Sequence, residues 1–155
     1  MSTQEPKKMT ILVVDDEVAY CDATAEILEV LGYRALKANG AREAKAILEV
    51  ERPNAILLDV MMPEIDGLTL LGELASNPRF LGIPLVMVSA KAMPADIGTA
   101  WAAGADAYLC KPYTADELRE VVQHVLAIPS TEPYHSGGTD RLRIILKSPP
   151  PDSKS

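Results

Sequence analysis

The chain has 155 residues, 48% hydrophobic and 24% charged, with 15 basic against 22 acidic side chains and a formal net charge of -7. That length suits one ordinary domain and excludes a barrel enzyme of usual size. The acidic balance disfavours non-specific binding to nucleic acid or to anionic membranes.

The charge is unevenly spread. Residues 1–128 hold eleven basic and nineteen acidic residues, whereas residues 129–155 hold four and three, with five of the twelve prolines. This predicts residues 1–8 as a disordered N-terminus, 9–128 as the globular domain, and 129–155 as a Pro-rich tail. The start, MSTQEPKKM, has no long apolar stretch behind it. No signal peptide or membrane span is expected, which points to a cytoplasmic protein. Cys21 and Cys110 both sit in apolar segments and read as buried thiols.

Short apolar runs at Ile11–Val14, Tyr33–Ala38, Ala55–Leu58, Leu85–Val88 and Ala107–Cys110 suit strands of a parallel sheet buried on both faces. Helical patterns lie between them. Val18, Cys21, Ala25 and Leu28 keep one face of the first helix, which Gly32 can end. Ala44, Ile47 and Leu48 mark the second helix, and Leu68, Leu71 and Leu74 the third. Pro94 can open the fourth, with Gly104 after its last turn. Leu118, Val121, Val122 and Val125 mark the fifth, opened by a capping box of Thr114 and Glu117. Five strands alternating with five helices predict an α/β, doubly wound parallel sheet with helices on both faces.

In such sheets ligands bind at the carboxyl ends of the strands. Here those ends carry Asp15, Asp16 and Glu17, then Asp59, Ser89, and Lys111 followed by Pro112. A lone Asp after a strand is usually a turn or capping residue; three with a hydroxyl and an amine at one edge ask for more. Carboxylates about 4 Å apart repel by about 4 kcal/mol at an effective dielectric near 20, so they call for a cation. All-oxygen ligation selects a hard divalent ion, and a shallow site suits Mg²⁺. A carboxylate nucleophile, a hydroxyl, an amine and a metal form a set for phosphoryl transfer.

Four segments, VVDDE at 13–17, LLDVMMPEIDG at 57–67, VMVSA at 86–90 and GADAYLCKPY at 104–113, resemble the receiver domain of two-component response regulators, most of all the single-domain chemotaxis type. The resemblance covers residues 9–128. It implies a flavodoxin-like, three-layer architecture with strand order 2-1-3-4-5. It implies that Asp59 is the phosphoacceptor, served by a sensor histidine kinase or phosphotransfer protein. Asp16 would be a direct Mg²⁺ ligand and Asp15 one acting largely through water, with Asp59 and the backbone carbonyl of Met61 completing the site; Mn²⁺ could replace Mg²⁺. Ser89 would be the switch hydroxyl, Lys111 its ion-pair partner, and Tyr108 the switch aromatic. Pro63 and Gly67 match the loop after the acceptor, and the Lys111–Pro112 peptide would be cis.

The same resemblance places the readout on the fourth helix, fifth strand and fifth helix. Ile97 and Trp101 share a helix face beside Tyr108, which reads either as a docking stripe or as cover for the sheet. The tail is too short for a DNA-binding or catalytic output domain, so the expectation is a stand-alone signalling protein, monomer or weak dimer, with a protein target and no nucleic acid. Within the tail, residues 140–147 are strand-like and either add to a sheet edge, in their own or a neighbouring chain, or stay mobile. Two other functions fit less well. A binding module independent of phosphorylation would not need the acids, Ser89 and Lys111. An aspartyl phosphatase would carry a second Asp where Met61 stands, and a flavodoxin would carry a phosphate loop where the acids stand.

Met61 and Lys91 would flank the path of attacking water. A bulky Met61 hinders in-line attack, and Lys91 can pair with the phosphoryl group. The expected outcome is a phosphoryl lifetime longer than that of the fastest chemotaxis regulators, measured as loss of acid-labile phosphate with Mg²⁺ present.

Overall fold

The computed structural model describes residues 8–59, 67–90, 98–99, 102, 104–127 and 144–146. Its centre is a parallel sheet. Strands β1 (Thr10–Val14), β2 (Arg34–Ala38), β3 (Ala55–Asp59), β4 (Leu85–Ser89) and β5 (Ala107–Cys110) lie in the order β2-β1-β3-β4-β5, as expected. A sixth strand, β6 (Ile144–Leu146), extends the edge of β5, also in parallel. Every residue of β1, β3, β4 and β5 is buried, which explains their unbroken apolar runs. β2 forms the opposite edge, with Arg34 and Lys37 exposed, Ala35 and Leu36 partly covered and Ala38 buried.

Four helices are described: α1 (Val18–Val30), α2 (Ala41–Val50), α3 (Gly67–Ala75) and α4 (Ala115–Leu126). The last is the fifth of the helices expected from sequence. Of the expected fourth, Gly98, Thr99 and Ala102 are helical; its remaining positions, Pro94, Ile97 and Trp101 among them, lie outside the described residues.

Alternation along the strands divides the core into two clusters. Ile11, Val13, Leu57, Val86 and Leu109 face α1 and α4, packing with Cys21, Leu28, Leu118, Val121, Val122 and Val125. Leu12, Val14, Leu58, Met87 and Tyr108 join the other cluster, with Ala44 and Leu48 of α2 and Leu70, Leu71 and Leu74 of α3. Helices thus cover both faces, giving three layers. The two cysteines are buried thiols, one in each cluster. Burial, reinforced by the negative charge of Asp15, pushes the Cys21 thiol up to about 11, so it stays protonated and inert at neutral pH. Among the described residues, no helix is long and apolar enough to cross a membrane.

Helix ends follow local chemistry. At the close of α1 the Tyr33 amide bonds the Leu28 carbonyl at 2.9 Å and the Gly32 amide bonds Glu29 at 3.0 Å. This is a Schellman motif, and Gly32 takes the φ of +102° that it requires. At the start of α4, Thr114 Oγ1 accepts the Glu117 amide at 3.0 Å while Glu117 Oε1 accepts the Thr114 amide at 2.9 Å. Both halves of the capping box are formed. That cap, three residues after Lys111, fixes where α4 starts. Thr114→Ala is expected to cost about 1 kcal/mol of unfolding free energy, read from urea denaturation, while Thr114→Ser retains most of it.

Candidate functional site at the carboxyl ends of the strands

β1 and β3 are neighbours, and each ends in an aspartate that stays buried: Asp15 just beyond β1 and Asp59 as the last residue of β3. Asp15 is fixed from three sides. Its amide bonds the Ala38 carbonyl at 3.0 Å, its own carbonyl accepts Asn39 Nδ2 at 3.0 Å, and its Oδ1 accepts the Glu17 amide at 2.9 Å. The last bond closes a turn that brings Glu17 forward.

Carboxylate oxygens of Asp15, Glu17 and Asp59 all come within 4.8 Å of one another. Lys111, the residue after β5, reaches into this group. Its Nζ donates to Asp15 Oδ2 at 3.0 Å, Glu17 Oε1 at 3.2 Å and Asp59 Oδ2 at 3.3 Å. Burial pulls its pKa down, but the hydrogen bond to Asp15 and the charges of Asp59 and Asp15 outweigh this and leave it above the ordinary lysine value. Its charge therefore persists throughout the neutral range. The stabilisation it gives is complete below the ordinary value of 10.5 and is lost only as pH rises through the higher folded value.

Lys111 is held from below by aromatic rings. Its Nζ lies 4.2 Å from the centroid of the Tyr20 ring, a cation–π contact. Tyr20 packs edge-on against Tyr113 at 5.5 Å, and the Tyr113 hydroxyl shares a 2.6 Å hydrogen bond with Thr24. Burial raises the pKa of both tyrosines, so they remain neutral phenols. This shelf ties α1 to the segment following β5. The Lys111–Pro112 peptide within that segment is cis, as the resemblance implies.

Ser89 ends β4, fully buried, one residue beyond Val88, the register partner of Asp59. It pairs across to Cys110, and the Lys111 amide bonds the Ser89 carbonyl at 2.9 Å. Tyr108, two residues earlier in β5, is buried opposite Met87. The structure thus gathers Asp15, Asp59, Ser89 and Lys111 at one edge of the sheet. Asp16 is a partial exception: it sits at the apex of the turn that Asp15 closes, partly exposed, and is not in the three-carboxylate group. Glu17 is the third carboxylate of that group. Met61, Lys91, Ile97 and Trp101 lie outside the described residues. Sequence reasoning did not assign Glu17, Tyr20, Thr24 or Tyr113 to the site. For Glu17 the signal was present, as the third acid of the run after β1; for the shelf there was none.

The donor set fits a hard divalent cation. It is all oxygen, concentrated in negative charge, and two of its carboxylates are buried. Lys111 is the positive charge that meets them among the described residues.

Comparison with known proteins decides the family. Residues 11–123 match the response regulator receiver domain. The chain belongs to that family. The receiver is 37% identical over 122 residues to a probable transcriptional regulator, ycf27, of Cyanophora paradoxa, covering 79% of this chain and 50% of that protein. It is 35% identical over 117 residues to the phosphate regulon transcriptional regulatory protein PhoB of Pseudomonas aeruginosa, covering 76% and 51%. It therefore spans about half the length of the curated relatives it matches. In structure it resembles a CheY-like receiver domain protein of Methanospirillum hungatei, with TM-score 0.71 and 34% identity over 77% of this chain and 94% of that one.

Replacing Lys111 by Met removes the cation and leaves the carboxylates facing one another. We expect the receiver to lose about 1–3 kcal/mol of stability in chelator. Millimolar Mg²⁺ should restore more stability to Lys111→Met than it adds to wild type, as seen in paired urea titrations with and without the ion.

Proposed function

We propose that this receiver accepts a phosphoryl group on Asp59 from a sensor histidine kinase or phosphotransfer protein and uses the change to alter its binding to a protein target. The observation that carries the reading is the placement of Lys111 Nζ between Asp15 and Asp59 at the ends of adjacent strands. Phosphoryl transfer needs a nucleophile and fixed positive charge more than it needs covalent chemistry from other side chains.

In the transfer, an oxygen of Asp59 bonds to phosphorus as the bond from phosphorus to the donor nitrogen breaks. The attacking group is the Asp59 carboxylate, and the Lys111 ammonium lies 3.3 Å from its Oδ2. As the phosphoryl oxygens approach, Lys111 would pair with one of them and the Ser89 hydroxyl would donate to another. Asp15, Glu17 and Asp59 would hold Mg²⁺, with Asp16 and the Met61 carbonyl as the further ligands the family resemblance implies. When bound, the ion would offset the charge of the carboxylates and of the incoming phosphate. Catalysis is confined to the receiver's own phosphorylation and dephosphorylation.

The switch is energetically within reach. Moving a two-state equilibrium from 1:99 to 99:1 takes about 5.5 kcal/mol. A charge-assisted bond at Ser89 and another at Lys111 supply about 1.5–3 kcal/mol each. Tyr108, close to both along β5, is the aromatic through which the change would reach the surface, with Ile97 and Trp101 as candidate partner contacts. Phosphoryl lifetime would be set by Met61 and Lys91. We place the protein in the cytoplasm, acting through a protein target.

Intact mass after incubation with a small acyl phosphate and Mg²⁺ tests the assignment. Wild type should gain about 80 Da and Asp59→Asn nothing. Equal behaviour of the two proteins would overturn the role given to Asp59.

A further inference from the structure

The outer edge of β5 carries β6. Ile144, Ile145 and Leu146 stand opposite Ala107, Tyr108 and Leu109 in parallel register, and the strand also touches α4. β6 is three residues long, shorter than any other strand of the sheet. It is joined to α4 through residues 127–143. Such a strand forms few ladder bonds, so its hold depends on the tether. Closing a loop of this length costs little more than closing one half as long, because the closure penalty grows only slowly with the number of residues. Charge also favours the contact: residues 141–147 carry Arg141, Arg143 and Lys147 and no acid, while residues 1–128 hold eleven basic and nineteen acidic side chains.

We propose that the outer edge of β5 is a docking surface for a short apolar parallel strand with basic flanks, and that the chain's own residues 144–146 are its tethered, reversible occupant. An open strand edge is a template for pairing with other chains. Docked β6 closes that edge at Tyr108, and its release opens it. Access to the β5 surface is then governed by the tail. This inference does not depend on phosphorylation of Asp59, and its test uses none.

The test is amide exchange, resolved by NMR, on the full chain and on the full-length variant Ile144→Pro/Ile145→Pro. Successive strand amides point to opposite sides, so one of the two prolines must remove a bond toward β5. In wild type, the β5 amides turned away from β4 should be protected, equally so across about a hundredfold dilution. In the variant they should exchange at least about tenfold faster, with the amides of β3 unchanged as the control for an intact fold. Raising salt to about 1 M should narrow the difference by screening the basic flanks. Equal exchange in the two proteins would overturn the proposal. Protection that grows with protein concentration would overturn it too, by assigning the strand to a second copy. A difference indifferent to salt would overturn the part given to the basic flanks.

Discussion

Two buried carboxylates that end neighbouring strands are a standing electrostatic cost, and the structure is organised around meeting it. Asp15 and Asp59 cannot separate, because β1 and β3 pair residue by residue up to that edge. They are shielded from water, which sharpens their repulsion. Lys111 offsets it by donating to both. That lysine must leave β5 at the correct height and angle. The β4–β5 register, the Lys111 amide bond to Ser89 and the capping box of α4 together hold the segment that delivers it.

The aromatic shelf under Lys111 is the less expected half of the arrangement. An ammonium with three carboxylates in reach has several near-equivalent ways to point. The Tyr20 ring restricts them, and Tyr113, anchored on Thr24, restrains Tyr20. A charge held in place this way needs no reorientation to meet an incoming group.

Most of the fold was legible in the sequence because its determinants are local. Apolar runs became strands with bounds shifted by a residue at most. Gly32 ended α1 and Thr114 with Glu117 opened α4 through bonds spanning a few residues. The strand-end residues Asp15, Asp59, Ser89 and Lys111 were legible for the same reason, since the end of an apolar run is itself a position in the fold. What escaped was non-local. Thr24 and Tyr113 are 89 residues apart, and no periodicity links them. The run of three acids after β1 offered Glu17 as a candidate, but not that it, with its amide on Asp15 Oδ1, would join Asp15 and Asp59.

The alternation along β5 has a mechanical consequence. Tyr108 and Cys110 belong to the cluster under α2 and α3, while Ala107 and Leu109 belong to the cluster under α1 and α4. The shelf that steadies Lys111 rises from α1. A single strand therefore serves two compartments with the sheet as a partition between them. A side chain rearranging at Tyr108 strains the layer that does not hold the lysine. The pocket around Tyr108 and the shelf beneath Lys111 thus lie on opposite faces of the sheet.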